Sequence, residues 1–171
     1  PLRYIDSNEV IKPQWPIQRV GQLLGAKAII STDVGQHQMW TAQFYPFSYP
    51  RQWITSGGLG TMGFGLPAAM GVARALKGTD KVSINFTGDG SILMNIQELM
   101  TCVEYELPVI NIILNNNYLG MVRQWQTMFY ENRLSQTDLS AQPNFKMLVE
   151  AFGGLGYRVT TKEEFDAALK D

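Results

Sequence analysis

Short apolar runs alternate along this chain with longer segments of helical period, and that alternation restricts the fold more than any other feature. "AKAIISTDVG" (26–35), "WITS" (53–56), "KVSINFTGD" (81–89) and "PVINIILNN" (108–116) read as strands, and "YRVTT" (157–161) as a short further one. In the first run the apolar residues are continuous rather than alternating, which suits a strand covered on both faces. Between the runs, 17–25, 63–78, 92–105, 121–130, 144–154 and 162–171 carry helical spacing. Ile17, Val20, Leu23 and Leu24 make one apolar stripe, and Ile92, Ile96, Leu99 and Val103 another, both expected in the core. The expected fold class is α/β, a doubly wound parallel sheet with helices on both faces. Pockets in such sheets lie beyond the carboxyl ends of the strands.

Charge and cysteine usage narrow the ligand. Fourteen basic residues against fifteen acidic ones, with no basic stretch, leave a net charge of -1 and exclude a nucleic-acid footprint or an anionic-membrane patch. Cys102 is the only cysteine, so neither an internal disulfide nor a cysteine-based zinc cluster is available; it is expected to be a buried apolar residue. No signal peptide is recognisable, and no apolar run reaches the roughly 20 residues of a spanning helix. The expected location is cytoplasmic, or an organelle matrix. The chain opens on Pro1 and stops at Asp171 at the end of a predicted helix, which suggests a part of something longer. Residues 1–16 are expected to be a polar linker and 17–171 the domain.

One juxtaposition carries chemistry. Asp89, between Gly88 and Gly90, ends the strand "VSINFT", and Asn115 with Asn116 end the next, "VINIIL". In a right-handed crossover the two strands run the same way about 4.8 Å apart, so their ends converge. A carboxylate and a carboxamide oxygen side by side are half of a magnesium or calcium site, completed by phosphate oxygens and water. The amides of Gly90 and Ser91 open the next helix, whose amino end favours an anion. A lone "GDG" is more simply a tight turn with Asp89 as helix cap; the "NN" at the equivalent strand end favours the metal reading. "GLGTMG" (58–63) also satisfies the dinucleotide fingerprint, but the acid ending the next strand is Asp89 itself, wrapped in glycines, and Asp80 lies at the wrong end. A nicotinamide enzyme is therefore disfavoured.

"GDGS" followed by "NN", with "VGQHQMW", "SGGLGTMGFGLPAAMG", "GDGSILMNIQEL" and "LNNNYLGMVRQWQ", resembles the catalytic subunits of the acetohydroxyacid (acetolactate) synthase family, from about Ile30 to Phe152. The resemblance covers only that family's carboxyl-terminal, diphosphate-binding domain. It implies thiamine diphosphate as cofactor and Mg²⁺ held by Asp89, the Asn116 side chain and the backbone carbonyl of Tyr118. It implies Gln36, His37, Gly90, Ser91, Leu119 and Gly120 around the diphosphate, with Gly60, Met62 and Met121 also against the cofactor. Met62 matches the bulky apolar residue that holds the cofactor bent. Trp125 matches a tryptophan of the substrate channel; without the resemblance, Met121, Val122, Trp125, Met128 and Phe129 would be a packing stripe.

The implied reaction decarboxylates pyruvate and condenses the remainder with pyruvate or 2-ketobutyrate, in branched-chain amino-acid biosynthesis. The activating glutamate of the family lies on the pyrimidine domain of a neighbouring subunit, and Asp89, Glu98 and Glu104 do not match its motif. The resemblance thus implies a homodimer or larger oligomer, FAD in a domain outside this chain, a regulatory small subunit as a further partner, and little activity for this domain alone. Two other readings stay open: a sister thiamine diphosphate enzyme of the glyoxylate carboligase or pyruvate oxidase type, and a non-catalytic magnesium and phosphate-binding module.

Overall fold

The computed structural model describes residues 2–171. Its sheet contains β1 (Ala28–Thr32), β2 (Trp53–Thr55), β3 (Val82–Gly88) and β4 (Val109–Leu114), all parallel, in the order β2-β1-β3-β4. The chain steps from β1 outward to β2 and returns to the other side of β1 for β3. The order therefore reverses between β1 and β3, and a crevice opens there at the carboxyl edge.

Helices cover both faces, as the alternation predicts. On one face Ile17 and Val20 of α1 (Gln14–Leu24) and Phe165 of α8 (Lys162–Ala168) pack with Ala28, Ile30, Ile84 and Phe86 of the two central strands. On the other face Leu66 of α3 (Gly65–Ala75), Leu99 of α5 (Glu98–Glu104) and the half-buried Val149 of α7 (Phe145–Ala151) form a second cluster with Ile92. β1 is buried at every position, which is the reason its apolar run does not alternate. Pro16 sits in the first turn of α1, where a missing N–H leaves no helical bond unmade, so the helix starts ahead of the expected Ile17. Trp15, in that same turn, meets Phe165 edge to face with centroids 5.5 Å apart.

α3 comes closest to the sheet. A Cβ on Gly65 would lie 2.5 Å from Asn85 Oδ1 and 2.8 Å from the Asp33 backbone nitrogen. The small residues of "GFGLPAAMG" are what let this helix start press onto β1 and β3.

Several expectations need correction. Residues 36–44 form a helix, α2 (Gln36–Phe44), although they carry no helical stripe. Its buried positions are His37 and Thr41, one turn apart, and its polar and apolar residues do not segregate, so the usual signal is absent. The expected helix over 92–105 is broken into α4 (Asp89–Ile92), a 3-10 turn over Leu93–Asn95, and α5. Val103 is exposed rather than core, as is Leu23, and Cys102 is only half-buried.

"YRVTT" is not a strand. The backbone N–H groups of Thr160 and Thr161 donate to Glu164 Oε2 at 2.7 and 3.1 Å, inside the capping box of α8, instead of joining a ladder on β4. α6 (Gly120–Phe129) also departs from the packing reading. Val122, Trp125, Met128 and Phe129 are all more than half exposed.

Candidate functional site

The carboxyl ends of β1, β3 and β4 converge on one cleft. Gly88 pairs in register with Leu114, so Asp89 and the Asn115–Asn117 turn leave adjacent strands at the same level. β1 runs into Asp33, Val34 and Gly35, whose φ of +151° lets the chain turn sharply into α2 and deliver Gln36 and His37 to the same edge. His37, Asp89, Gly90, Ser91, Asn116 and Tyr118 all line this cleft.

Asp89 is 2% exposed and its Oδ2 has no hydrogen-bond partner. Burial pushes its carboxyl upward from the ordinary carboxylate range, and the backbone amides of Asn117, Gly90 and Asp89 itself oppose the shift. The imidazole of His37 is likewise buried, with Nε2 unpartnered. Burial drives its pKa down to about 4, against the nearby Asp33, so the ring is neutral at pH 7. Two buried polar atoms without partners, on residues of one cleft, are costly unless a ligand meets them.

The loop after β4 is pinned from several sides. Asn117 has a left-handed φ of +61°, and Asn116 Oδ1 accepts the Tyr118 amide at 3.0 Å. Residues 137–139 return alongside: the Leu119 N–H donates to Thr137 O at 2.9 Å, and the Leu139 N–H to Asn117 O at 2.8 Å. Across the mouth, Gln36 Nε2 donates to Gln124 Oε1 at 2.9 Å, and Asn116 Nδ2 approaches Gln36 Oε1 at 3.5 Å. Gly120 lies so close to Gln36 and Asn116 that no Cβ would fit. A Cβ on Gly90 would sit 2.9 Å from Leu119, 3.0 Å from Leu139 and 3.8 Å from Met62 Cε, so these side chains crowd the Gly90 backbone.

Of the residues expected at the site, Gln36, His37, Met62, Asp89, Gly90, Ser91, Asn116, Tyr118, Leu119, Gly120 and Met121 line the cleft. Gly60 does not; it turns at φ +65° with Val34 as its nearest neighbour. Trp125 also stands outside, 58% exposed on α6, in edge contact with Phe129 at 5.9 Å. Glu98 and Glu104 are on α5 and do not reach the cleft. Val34 and Trp40 line it without having been expected. The tryptophan of "GQHQMW" carried a signal only for a reader who placed those residues on a helix.

Among the described residues no group of three or more His, Cys, Asp or Glu side chains could hold a metal. A cation here would need Asp89 together with amide and carbonyl oxygens and oxygens of its ligand, the hard, sparse set that Mg²⁺ accepts. An orphaned carboxylate oxygen, an orphaned imidazole nitrogen and backbone bared by Gly90 and Gly120 fit a cation and a diphosphate together.

A parallel α/β domain with this cleft at its switch point is a binding domain for a phosphate-bearing cofactor. The family model described as "Thiamine pyrophosphate enzyme, C-terminal TPP binding domain" matches residues 33–171, and the chain belongs to that family. It is 51% identical over 170 residues to the acetolactate synthase isozyme 3 large subunit of Escherichia coli (strain K12), covering 99% of this chain and 29% of that protein. It is 48% identical to the acetolactate synthase large subunit of Haemophilus influenzae, with the same coverage. Against acetolactate synthase 2, chloroplastic, of Brassica napus it is 47% identical over 177 residues, 99% of this chain and 28% of that protein. The chain thus spans less than a third of the length of these relatives. Among the described residues no helix is long and apolar enough to cross a membrane.

Proposed function

We propose that this domain binds the Mg²⁺–diphosphate end of thiamine diphosphate within an acetolactate-forming enzyme acting on pyruvate, with pyruvate or 2-ketobutyrate as acceptor. The observation that carries the reading is the pair of buried, unpartnered atoms, Asp89 Oδ2 and His37 Nε2, in one glycine-bared cleft. Asp89, the Asn116 side-chain oxygen and the Tyr118 carbonyl would hold the metal. Asn116 Oδ1 keeps a second lone pair free beside its bond to the Tyr118 amide. The Nε2 of His37, carrying the ring's proton when the diphosphate is bound, would meet a phosphate oxygen together with the amides of Gly90 and Ser91. Gln36, Leu119 and Gly120 line the same cleft, and Met62 and Met121 would supply apolar contact to the cofactor.

When bound, thiamine diphosphate supplies the electron sink for loss of CO₂ from a 2-keto acid and for carbon–carbon bond formation. The residues of this chain hold and orient it and exclude water. The activating carboxylate is assigned to a segment outside this chain, on a second subunit, since no glutamate lines the cleft. A bound FAD and a regulatory subunit belong to the same reading; the words "large subunit" in the relative's name support a second kind of subunit.

The products of the complete enzyme test it. Pyruvate alone should give acetolactate, and pyruvate with 2-ketobutyrate should give acetohydroxybutyrate as well. Tartronate semialdehyde from glyoxylate, or acetate or acetyl phosphate with consumption of oxygen, would assign the domain to a sister enzyme instead.

A further inference from the structure

Met62 lies in a turn, outside any helix or strand, and lines the cleft. The next residue, Gly63, is held through both of its main-chain polar groups. Its N–H donates to Asp33 Oδ1 at 2.7 Å, and its carbonyl accepts from Asn95 Nδ2 at 2.7 Å. Asp33 is fully buried. Its Oδ1 also takes the Gly65 N–H at 3.0 Å, and its Oδ2 takes the Thr87 hydroxyl at 2.7 Å, so the carboxylate ties the loop to α3 and β3 at once. Gly63 has φ +88° and no spare room: a Cβ there would meet Asn95 Nδ2 at 2.9 Å and Met94 Cβ at 3.0 Å. Asn95 is available because the chain breaks into a 3-10 turn at Leu93–Asn95.

We propose that Asp33 and Asn95 are positioning residues that set how far Met62 reaches into the cleft, and thereby the affinity for the ring portion of the cofactor, separately from the metal–diphosphate portion; this rests on the thiamine diphosphate reading above. The two portions contact different residues. Asp89, His37 and Gly90 face the diphosphate end; Asn95 bonds to none of them and acts through Gly63, whereas Asp33 also lies beside His37, so the Asn95 variants carry the decision. Releasing the Gly63 carbonyl from Asn95 breaks no bond to Asp89 or the Asn116 turn, but lets Met62 retreat from the space beside Gly90. An exclusively structural clamp would weaken the whole fold and both portions alike.

Two probes separate these outcomes: inorganic pyrophosphate with Mg²⁺, which occupies only the diphosphate end, and thiamine diphosphate with Mg²⁺. In Asn95→Ala of the complete enzyme, thiamine diphosphate affinity should fall about tenfold while Mg²⁺–pyrophosphate affinity changes by less than about twofold. Asn95→Asp, which cannot donate to the Gly63 carbonyl, should behave like Asn95→Ala.

Asp33→Asn should restore near wild-type binding. Its Oδ1 still accepts from Gly63 and Gly65, and its amide can donate to Thr87, whose own proton turns to the Gly88 carbonyl already 3.2 Å away. Asp33→Ala should resemble Asn95→Ala, and if it does not fold, the Asn95 variants decide. Losses that fall equally on both probes, or on neither, in folded Asn95 variants overturn the inference. If the wild-type protein binds neither probe, the cofactor reading itself fails and the inference falls with it.

Discussion

At the scale of single residues, His37 makes a prediction whose sign can be worked out. Folded, its imidazole takes a proton only below about pH 4; unfolded, it does so below about 6.5. Between those values the unfolded chain binds more protons, so the contribution of this residue to stability rises as pH climbs from about 4 to about 6.5 and is flat above. His37→Gln removes that slope. Denaturant unfolding of both proteins should show the wild type losing about 2 to 3 kcal/mol relative to the variant between pH 7 and pH 4.5. The raised carboxyl of Asp89 slopes the other way but is common to both proteins. A difference that stays constant with pH would mean that His37 is not desolvated.

At the scale of elements, stability should respond where backbone meets backbone. Gly65→Ala would force a Cβ to 2.8 Å from the Asp33 nitrogen and 2.5 Å from Asn85 Oδ1, and the resulting displacement of α3 should cost about 1 to 3 kcal/mol despite the better helix propensity of alanine. A thermal melt should show a drop of several degrees; an unchanged midpoint would mean that α3 shifts freely.

The capping box of α8 offers a milder test. Thr161→Ala should cost about 1 kcal/mol, measured by the same melt.

These elements also show what the sequence made legible. The buried strands and α1, α3 and α8 announce themselves through periodicity, and Asp89 and Asn116 through their places at adjacent strand ends. α2 was invisible because its buried side, His37 and Thr41, is polar. Residues 157–161 have strand-forming composition, but the donors of Thr160 and Thr161 are spent on a helix cap. Asp33 could not be singled out as a lone acid after a strand. Its meaning lies in bonds to Gly63, Gly65 and Thr87, residues 30 to 54 positions away.

For the whole molecule, the exposed apolar side of α6 and the cleft beside it form one surface. Met121 and Val122 line the cleft, and Trp125 and Phe129 continue the same helix outward. With 58% of its surface exposed, Trp125 does little for the fold of this domain. Trp125→Leu should leave the melting temperature within about 2 °C of wild type, because exposed substitutions rarely exceed about 0.5 kcal/mol. In the complete enzyme, the substrate-channel role that the family resemblance implies for Trp125 predicts about a tenfold loss of preference for 2-ketobutyrate over pyruvate, with acetolactate formation from pyruvate retained. An unchanged ratio of acetohydroxybutyrate to acetolactate would remove Trp125 from acceptor selection.

The central claim is that Asp89 and its neighbours are built for a metal-bridged diphosphate. Its most direct test is the melting temperature of the wild type and Asp89→Ala, each with thiamine diphosphate in the presence and absence of Mg²⁺. A cation offsets the repulsion between the carboxylate and phosphate oxygens, so the wild type should be stabilised by the cofactor only when Mg²⁺ is supplied. Asp89→Ala should show no Mg²⁺-dependent increment. A Mg²⁺-dependent shift of equal size in both proteins, or stabilisation of the wild type without the metal, would contradict the account.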